Sequence, residues 1–211
     1  MSSHLQDIYD TLLDTFGPQQ WWPGDTPFEI MIGAVLTQNT AWTNVETAID
    51  NLKAANMLSF EALATINVET LADLIRPSGY YNQKAARLKG LILYIADKHG
   101  NLQAFFDQET LALREELLSI KGIGPETADS ISLYAAEKPT FVVDTYTHRI
   151  FSRHNLLAEE SEYHEIQEMF MDELPKDMQL YNEYHALIVR LGKEYCKKTK
   201  PRCNECPIKD F

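Results

Sequence analysis

The sequence predicts an all-α protein. Apolar residues recur at helical rather than alternating spacing along nearly the whole chain, as expected for helices that bury one face. Residues that typically begin and end helices separate these segments at short intervals. The stretch Thr140-Phe141-Val142-Val143 alone has strand character, and one isolated strand cannot build a sheet.

The helical segments follow one another without a long linker, a low-complexity tract or a sequence repeat. Their predicted first residues are His4, Phe28, Trp42, Phe60, Val68, Gln83, Thr110, Pro125, Thr145, Glu162 and Met178. Small polar side chains that accept hydrogen bonds from a first helical turn are predicted as N-caps, and they are Ser59, Asn67, Asn82 and Asp107. The pairs Gly17-Pro18 and His99-Gly100 are predicted helix ends.

Composition indicates an ordinary globular protein. A chain of 211 residues with 45% hydrophobic content can bury a substantial core. It contains no run of about 18 apolar residues, and its first residues lack the basic start and apolar stretch of a signal peptide. We therefore expect a cytoplasmic location, in a bacterial or archaeal cytosol, with no membrane contact.

The charge balance argues against binding of nucleic acid through bulk electrostatics, because the formal net charge is -12 and the pI is near 4.9. The basic residues are nevertheless clustered in two places. One cluster is Lys193, Lys197, Lys198, Lys200 and Arg202, and the other is Arg76, Lys84, Arg87 and Lys89. A local basic face on an acidic body is therefore expected.

Two tryptophans followed by a proline, Trp21-Trp22-Pro23, stand near the N-terminus. Exposed paired indoles are costly unless another ring stacks on them. An indole face attracts a cationic ring more strongly than a neutral one. Packing in the core or at a domain interface is the alternative role.

The segment Lys121-Gly122-Ile123-Gly124-Pro125 predicts a tight hairpin between two helices. Pro125 suits the first position of the second helix, where a missing N–H costs nothing. Such a turn exposes backbone N–H groups that attract phosphate oxygens, and glycines let a DNA backbone approach closely. An ordinary turn between two helices is the alternative interpretation.

Asp144 follows the apolar run Phe141-Val142-Val143 and precedes a predicted helix at Thr145. A carboxylate there can cap the helix. It can also stabilise positive charge on a sugar and orient or deprotonate water, and the two roles are compatible.

The hairpin followed by Val143-Asp144-Thr145 resembles the helix-hairpin-helix superfamily of DNA glycosylases that includes endonuclease III, over nearly the full chain. Several further stretches are similar to the 3-methyladenine DNA glycosylases of endonuclease III type. They are Trp21-Trp22-Pro23, Leu36-Thr37-Gln38-Asn39-Thr40, the run from Arg76 to Ala85, and a glutamate where lyases carry a lysine.

The resemblance implies that Asp144 is the catalytic carboxylate of base removal. In bifunctional relatives a lysine attacks the sugar carbon and forms a Schiff base, but Glu126 occupies that position here. Strand cleavage by a lyase is therefore expected to be weak or absent. Lys121 precedes the first glycine of the hairpin and is expected to face phosphate or solvent.

The resemblance also implies a base pocket lined by Trp21, Trp22, Pro23 and Trp42. Gln38, beside Asn39, would belong to the loop that fills the gap left by a flipped nucleotide, or its amide would simply bond backbone at a helix end. The hairpin residues Lys121, Gly122, Ile123 and Gly124 would bind the DNA backbone.

The cysteines Cys196, Cys203 and Cys206 have the spacing C-x6-C-x2-C. In endonuclease III this pattern continues to a fourth cysteine and holds a [4Fe-4S] cluster, and here that ligand would come one residue after Phe211. We expect the cluster, with zinc as the structural alternative. Four basic residues on the intervening loop would neutralise phosphates, namely Lys197, Lys198, Lys200 and Arg202.

Together these features predict a monomer with two helical lobes and double-stranded DNA with a damaged base as substrate. One lobe spans about residues 22–136, and the other combines residues 1–21 with 137–211. The predicted activity is hydrolysis of the N-glycosidic bond of alkylated purines such as 3-methyladenine. The alternatives are a bifunctional endonuclease III-type glycosylase/lyase acting on oxidised pyrimidines and a noncatalytic DNA-binding helix-hairpin-helix module.

Overall fold

The computed structural model describes residues 4–211, and the regular structure within that range is entirely helical. The predicted all-α class is confirmed. The α-helices are α1 (His4–Phe16), α2 (Pro27–Leu36), α3 (Trp42–Ala54), α4 (Phe60–Thr65), α5 (Val68–Leu74), α6 (Tyr81–His99), α7 (Leu102–Phe106), α8 (Thr110–Ser119), α9 (Pro125–Ser130), α10 (Thr145–Arg153), α11 (Tyr163–Glu173) and α12 (Met178–Glu194). Short 3-10 turns lie at Arg76–Ser78 and Cys203–Glu205, and a π-helical turn at Ile131–Ala135 extends α9.

Most helices begin at the predicted residue, and three begin close to it. Helix α2 starts at Pro27, one residue early, because Thr26 caps it and accepts a hydrogen bond from the Glu29 N–H. Helix α11 starts at Tyr163, with Glu162 as its N-cap.

Two predicted N-caps are confirmed and two are wrong. Ser59 and Asn67 accept hydrogen bonds from the first turns of α4 and α5. Asn82 lies inside α6, because the left-handed conformation of Tyr80, with φ 45°, ends the preceding turn and lets the helix begin at Tyr81. Asp107 ends the unpredicted helix α7, where its N–H donates to the Gln103 carbonyl.

The described residues form two compact units. We call Pro23–Lys138 the central unit, and the described residues up to Trp22 together with Pro139–Phe211 the terminal unit. In the part of the chain that the structure describes, no helix is long and apolar enough to cross a membrane.

The core of the central unit is built around α2, which is buried on nearly all sides. Met31, Ile32, Val35 and Leu36 are fully or almost fully inaccessible to solvent. Helix α2 packs against the π-helical turn, and α6 packs against α5.

The core of the terminal unit is aromatic. The ring of Phe141 stacks on Phe170 with their centroids 4.1 Å apart, and Tyr181 and Tyr184 meet Phe141 edge-on. The Tyr184 hydroxyl donates to the Leu5 carbonyl at 2.9 Å, which ties α12 to α1. Phe141 thereby anchors the extended chain that leads to Asp144.

Candidate active site

Asp144 is the N-cap of α10. Its Oδ1 accepts hydrogen bonds from the backbone N–H groups of Tyr146 and Thr147, both at 2.8 Å, and from the Thr147 hydroxyl at 3.1 Å. Capping therefore occupies one carboxylate oxygen and fixes the side chain at the helix N-terminus.

The second oxygen of Asp144, Oδ2, faces a histidine that the sequence did not single out. The His185 Nε2 lies 3.6 Å from Oδ2, and the two side chains are only 7% and 11% exposed. A single histidine on the amphipathic helix α12 has no distinctive sequence pattern, so this pairing could be found only in three dimensions.

The electrostatics at Asp144 favour the ionised carboxylate. Burial raises the pKa of this carboxyl group, but the nearby His185 and the N–H and hydroxyl of Thr147 lower it more, so the pKa lies below its ordinary value. A carboxylate that stays ionised can stabilise a developing cation and orient water, but it cannot donate a proton at neutral pH.

Apart from Lys121, the hairpin (residues 120–124) presents backbone rather than side chains. Gly122 has φ +91°, a conformation that favours glycine, and the Ile123 N–H closes the turn on the Ile120 carbonyl at 3.0 Å. The Ile123 side chain is buried in the core, while Lys121, Gly122 and Gly124 are exposed. Gly124 is the N-cap of α9 and Pro125 begins that helix, as predicted.

Gln38 lies in the loop between α2 and α3 (the Gln38 loop, residues 37–41), and its amide contacts the hairpin. Its Nε2 donates to the Thr127 hydroxyl at 2.8 Å and to the Gly122 carbonyl at 3.3 Å. Its Oε1 accepts a hydrogen bond from Arg87. Asn39, the next residue, is exposed and has φ 53°.

Lys84 binds the chain immediately before the Gln38 loop. Its amine, almost completely buried, donates to the carbonyls of Leu36 and Ser78, both at 2.7 Å. Burial and, to a smaller extent, the charge of Arg87 lower the pKa of Lys84 to about 8. Lys84 therefore joins α6 to the last residue of α2 and to the 3-10 turn before α6.

The four predicted base-pocket residues are divided between the units. In the terminal unit, Trp21 and Trp22 are partly buried and meet edge-on with ring centroids 5.6 Å apart. In the central unit, Pro23 and Trp42 line a depression of about 550 Å³. Its charged lining residues are Asp25, Glu29, Glu46, Asp50 and Lys53. Because four of these five are carboxylates, we call it the acidic depression.

The terminal unit carries a second depression of about 350 Å³, the basic depression, beside the start of α10. Its lining residues are Thr145, Tyr146, Arg149, Gly192, Lys193, Lys197 and Lys198. The structure thus brings two of the predicted phosphate-binding lysines next to the helix that Asp144 caps. Lys200 is exposed, whereas Arg202 pairs with Glu205 and stacks on Tyr195.

Glu126 is exposed in the first turn of α9. A negative side chain there interacts favourably with the helix dipole. The nearest residue on the hairpin that carries an amine, Lys121, is exposed as well.

The three cysteines are free thiols, with Cys196 and Cys206 buried and Cys203 exposed. Burial raises the pKa of Cys206, and the charges of the other two cysteines act in the same direction. Within residues 4–211, no group of three or more His, Cys, Asp and Glu side chains is gathered closely enough to hold a metal ion. The residues as arranged therefore do not fit the expected [4Fe-4S] cluster or zinc.

Arginines hold the backbone of this cysteine segment. Arg149 donates to the Cys196 carbonyl at 2.8 Å. Arg153 donates to the carbonyls of Lys197 at 2.8 Å and Lys198 at 3.1 Å. The backbone of Lys197 and Lys198, two of the three lysines of the basic depression, is thus held from α10.

Sequence comparison identifies the family. Residues 32–176 match the model of the HhH-GPD superfamily base excision DNA repair protein. A protein of Methanocaldococcus jannaschii, named as a candidate DNA repair glycosylase, is 51% identical over 98% of this chain and 94% of its own length. Endonuclease III of Thermotoga maritima is 33% identical over 87% of this chain and 81% of its own length.

Solved structures agree with this result. The 3-methyladenine DNA glycosylase MagIII of H. pylori, bound to 1,N6-ethenoadenine, is similar with a TM-score of 0.77 and 34% identity, over 90% of this chain and 97% of that chain. A non-covalent endonuclease III–DNA complex has the same fold, with a TM-score of 0.81 at 23% identity over 97% of this chain and 93% of that chain. The chain therefore belongs to the HhH-GPD superfamily of base excision DNA repair proteins, and it is a DNA glycosylase of that superfamily.

Proposed function

We propose that the protein, as a monomer on double-stranded DNA, hydrolyses the N-glycosidic bond of alkylated purines such as 3-methyladenine, with Asp144 as the catalytic carboxylate. The observation that supports the hydrolytic chemistry is that the two carboxylate oxygens of Asp144 have different surroundings. Oδ1 caps α10 through three hydrogen bonds, and Oδ2 faces His185. The carboxylate is therefore held rigidly and kept ionised.

Bond cleavage leaves positive charge on the deoxyribose, which a fixed anion stabilises. An alkylated purine such as 3-methyladenine already carries positive charge, so it leaves as a neutral base without protonation. The same carboxylate orients the water that attacks the sugar carbon and accepts the proton that this water loses, which then passes to solvent. The reaction needs no general acid, which agrees with the low pKa of Asp144.

Glu126 supports hydrolysis rather than strand cleavage. A Schiff base requires an amine at the position that Glu126 occupies on α9, and a carboxylate cannot form one. Lys121 is the alternative amine, but it lies before the hairpin glycines and is exposed. We therefore propose that lyase activity is weak or absent.

The acidic depression supports a cationic base as substrate. It combines an indole, Trp42, with carboxylates, and Lys53 is already paired with Asp25 and Glu29 at 2.8 Å. Both an aromatic face and negative charge attract a methylated purine more strongly than a neutral base. The similarity to a 3-methyladenine glycosylase at 34% identity points to the same substrate class.

The hairpin and the basic depression are the proposed DNA-backbone contacts. Exposed hairpin N–H groups at the start of α9 suit phosphate oxygens, and Lys193, Lys197 and Lys198 suit further phosphates beside α10. These local contacts explain how a chain with a net charge of -12 binds a polyanion.

The proposal is tested by incubating the protein with methylated duplex DNA and measuring free 3-methyladenine. Part of each reaction is then treated with alkali, and another part is reduced with borohydride. We expect free base, strand breaks that require alkali, and no trapped protein–DNA adduct. A trapped adduct with breaks before alkali identifies the bifunctional enzyme, and DNA binding without base release identifies a noncatalytic module.

Asp144→Asn is expected to reduce base release by at least about a hundredfold, because it removes the charge that stabilises the transition state. The asparagine oxygen still accepts the capping hydrogen bonds, so the melting temperature and DNA affinity should change little. Asp177→Asn is the matched control, since Asp177 caps α12 through the Leu180 N–H at 2.9 Å and has no proposed catalytic role. Wild-type base release by Asp144→Asn would remove this aspartate from the mechanism.

A further inference from the structure

Arg87 connects two surfaces that are proposed to contact DNA. Its guanidinium donates to the Gln38 Oε1, and its aliphatic chain lies directly against the hairpin. A Cβ built on Gly122 would come within 2.7 Å of the Arg87 Cγ and 2.8 Å of its Nε. Helix α6 thus reaches the Gln38 loop and the hairpin through a single side chain.

The Gln38 amide has its hydrogen-bonding groups engaged in this network. The oxygen accepts from Arg87, and the nitrogen donates to the Thr127 hydroxyl and the Gly122 carbonyl. Lys84, one helical turn before Arg87 on the same face of α6, binds the Leu36 carbonyl at the root of the loop. Two basic residues of α6 therefore hold the Gln38 loop: Lys84 binds Leu36 just before the loop, and Arg87 binds Gln38 within it.

We propose that Arg87 is a positioning residue for nucleotide extrusion: it aligns Gln38 with the hairpin, so that the Gln38 loop and the hairpin meet DNA as one preorganised surface. The inference rests on the proposed glycosylase function and on the expectation, implied by the family resemblance, that Gln38 fills the gap left by a flipped nucleotide. Preorganisation matters because ordering a loop during binding costs conformational entropy that would otherwise assist extrusion.

The test uses a duplex that needs no base removal. A tetrahydrofuran abasic analogue stands in for the extruded nucleotide, and a neighbouring 2-aminopurine reports by fluorescence when the gap is filled. Mixing the full-length protein with this duplex in a stopped-flow instrument gives the rate and amplitude of insertion. Because this duplex has no base to remove, a protein that does not excise alkylated purines could still give the insertion signal. A failure of the proposed substrate can therefore be told apart from a failure of the proposed role of Arg87.

Arg87→Met keeps an unbranched apolar chain against Gly122 and removes the hydrogen bond to Gln38. We expect the insertion rate to fall by about tenfold or more, as misplacement of a positioning group does. Lys89→Met is the matched control on the same helix. Its amine donates to the carbonyls of Leu63 at 3.0 Å and Ala64 at 2.9 Å, and the charge change is identical.

A double-mutant cycle decides whether Arg87 acts through Gln38. In a Gln38→Ala background, Arg87→Met should produce no further loss. Equal losses in both backgrounds would show that Arg87 contributes charge or stability alone and would overturn the inference. An unchanged or faster insertion rate in Arg87→Met would overturn it as well, since the arginine would then be neutral or restrain Gln38.

Discussion

Because Asp144 is paired with His185, the fall in base release at acid pH should report the pKa of Asp144. In the proposed mechanism, base release needs the ionised carboxylate of Asp144, and His185 favours that form. Replacing the histidine by a neutral amide, His185→Gln, removes the charge and weakens the interaction, so the pKa of Asp144 rises. We expect the acid limb of single-turnover base release to move to higher pH, with a smaller change on its neutral plateau.

His164→Gln is the matched control for this shift. The His164 Nδ1 also lies 3.6 Å from a carboxylate, that of Glu162, but both side chains are largely exposed and therefore weakly coupled. Its pH profile should coincide with that of the wild type. An unmoved acid limb in His185→Gln would mean that the helix N–H groups alone keep Asp144 ionised.

At the scale of elements, the start of α10 depends on a close approach by α12. A Cβ on Gly192 would lie 2.2 Å from the Tyr146 Cδ1, and Tyr146 supplies one of the N–H groups that hold Asp144. Gly192→Ala must displace this ring, so we expect a loss of about 1–3 kcal/mol in the free energy of unfolding and slower base release. Urea unfolding and single-turnover excision measure the two effects.

Gly90→Ala is the corresponding control in the middle of α6. A Cβ there meets nothing within 4 Å, and alanine is the better helix former, so stability should rise by about 0.5–1 kcal/mol. If Gly192→Ala behaved like Gly90→Ala, the packing of α12 against Tyr146 would have no influence on Asp144.

Features encoded locally could be predicted from the sequence, and features that depend on tertiary contacts could not. The period of apolar residues and the caps at Ser59 and Asn67 located most helices. Helix α7 has only five residues, too few for a period to emerge, although Asn101 caps it in the ordinary way. The start of α6 depends on the left-handed Tyr80, a conformation that no neighbouring residue signals.

The candidate site follows the same rule. The hairpin and Asp144 stand out because glycine spacing and an aspartate before a helix are local signals. His185 and Arg87 come from distant helices, α12 and α6, and their relation to Asp144 and Gln38 exists only after folding. Gln38 itself was predicted in two alternative roles, and in the structure its amide bonds the hairpin backbone and Thr127.

At the scale of the whole molecule, this acidic chain groups several basic side chains around one depression, which is the proposed contact with the DNA backbone. Lys193, Lys197 and Lys198 surround the basic depression, and Arg149 and Arg153 hold the backbone of that segment. Some carboxylates elsewhere are paired with internal partners. Arg114, for example, pairs with the fully buried Asp129 through its Nε at 2.6 Å, next to the hairpin helices.

Glu116 links this internal pairing to acid stability. Burial raises the pKa of its carboxyl group, but hydrogen bonds from Lys98, His99, Tyr94 and Gln108 lower it further, to about 2. A carboxyl group whose pKa is lower in the folded state stabilises the fold at pH values above its unfolded-state pKa of 4.5. That stabilisation is lost as the pH falls toward the folded-state pKa of about 2.

Glu116→Gln should therefore cost about 2 kcal/mol at neutral pH, a figure reduced for the solvent-exposed Lys98 partner. The difference from the wild type should shrink steadily between pH 4.5 and 2, because protonation makes the wild-type side chain neutral as well. Urea unfolding followed at several pH values in this window measures it. A difference that stayed constant down to pH 2 would show that the glutamine loses packing or hydrogen-bond geometry and that the charge of Glu116 does not stabilise the contact between α6 and α8.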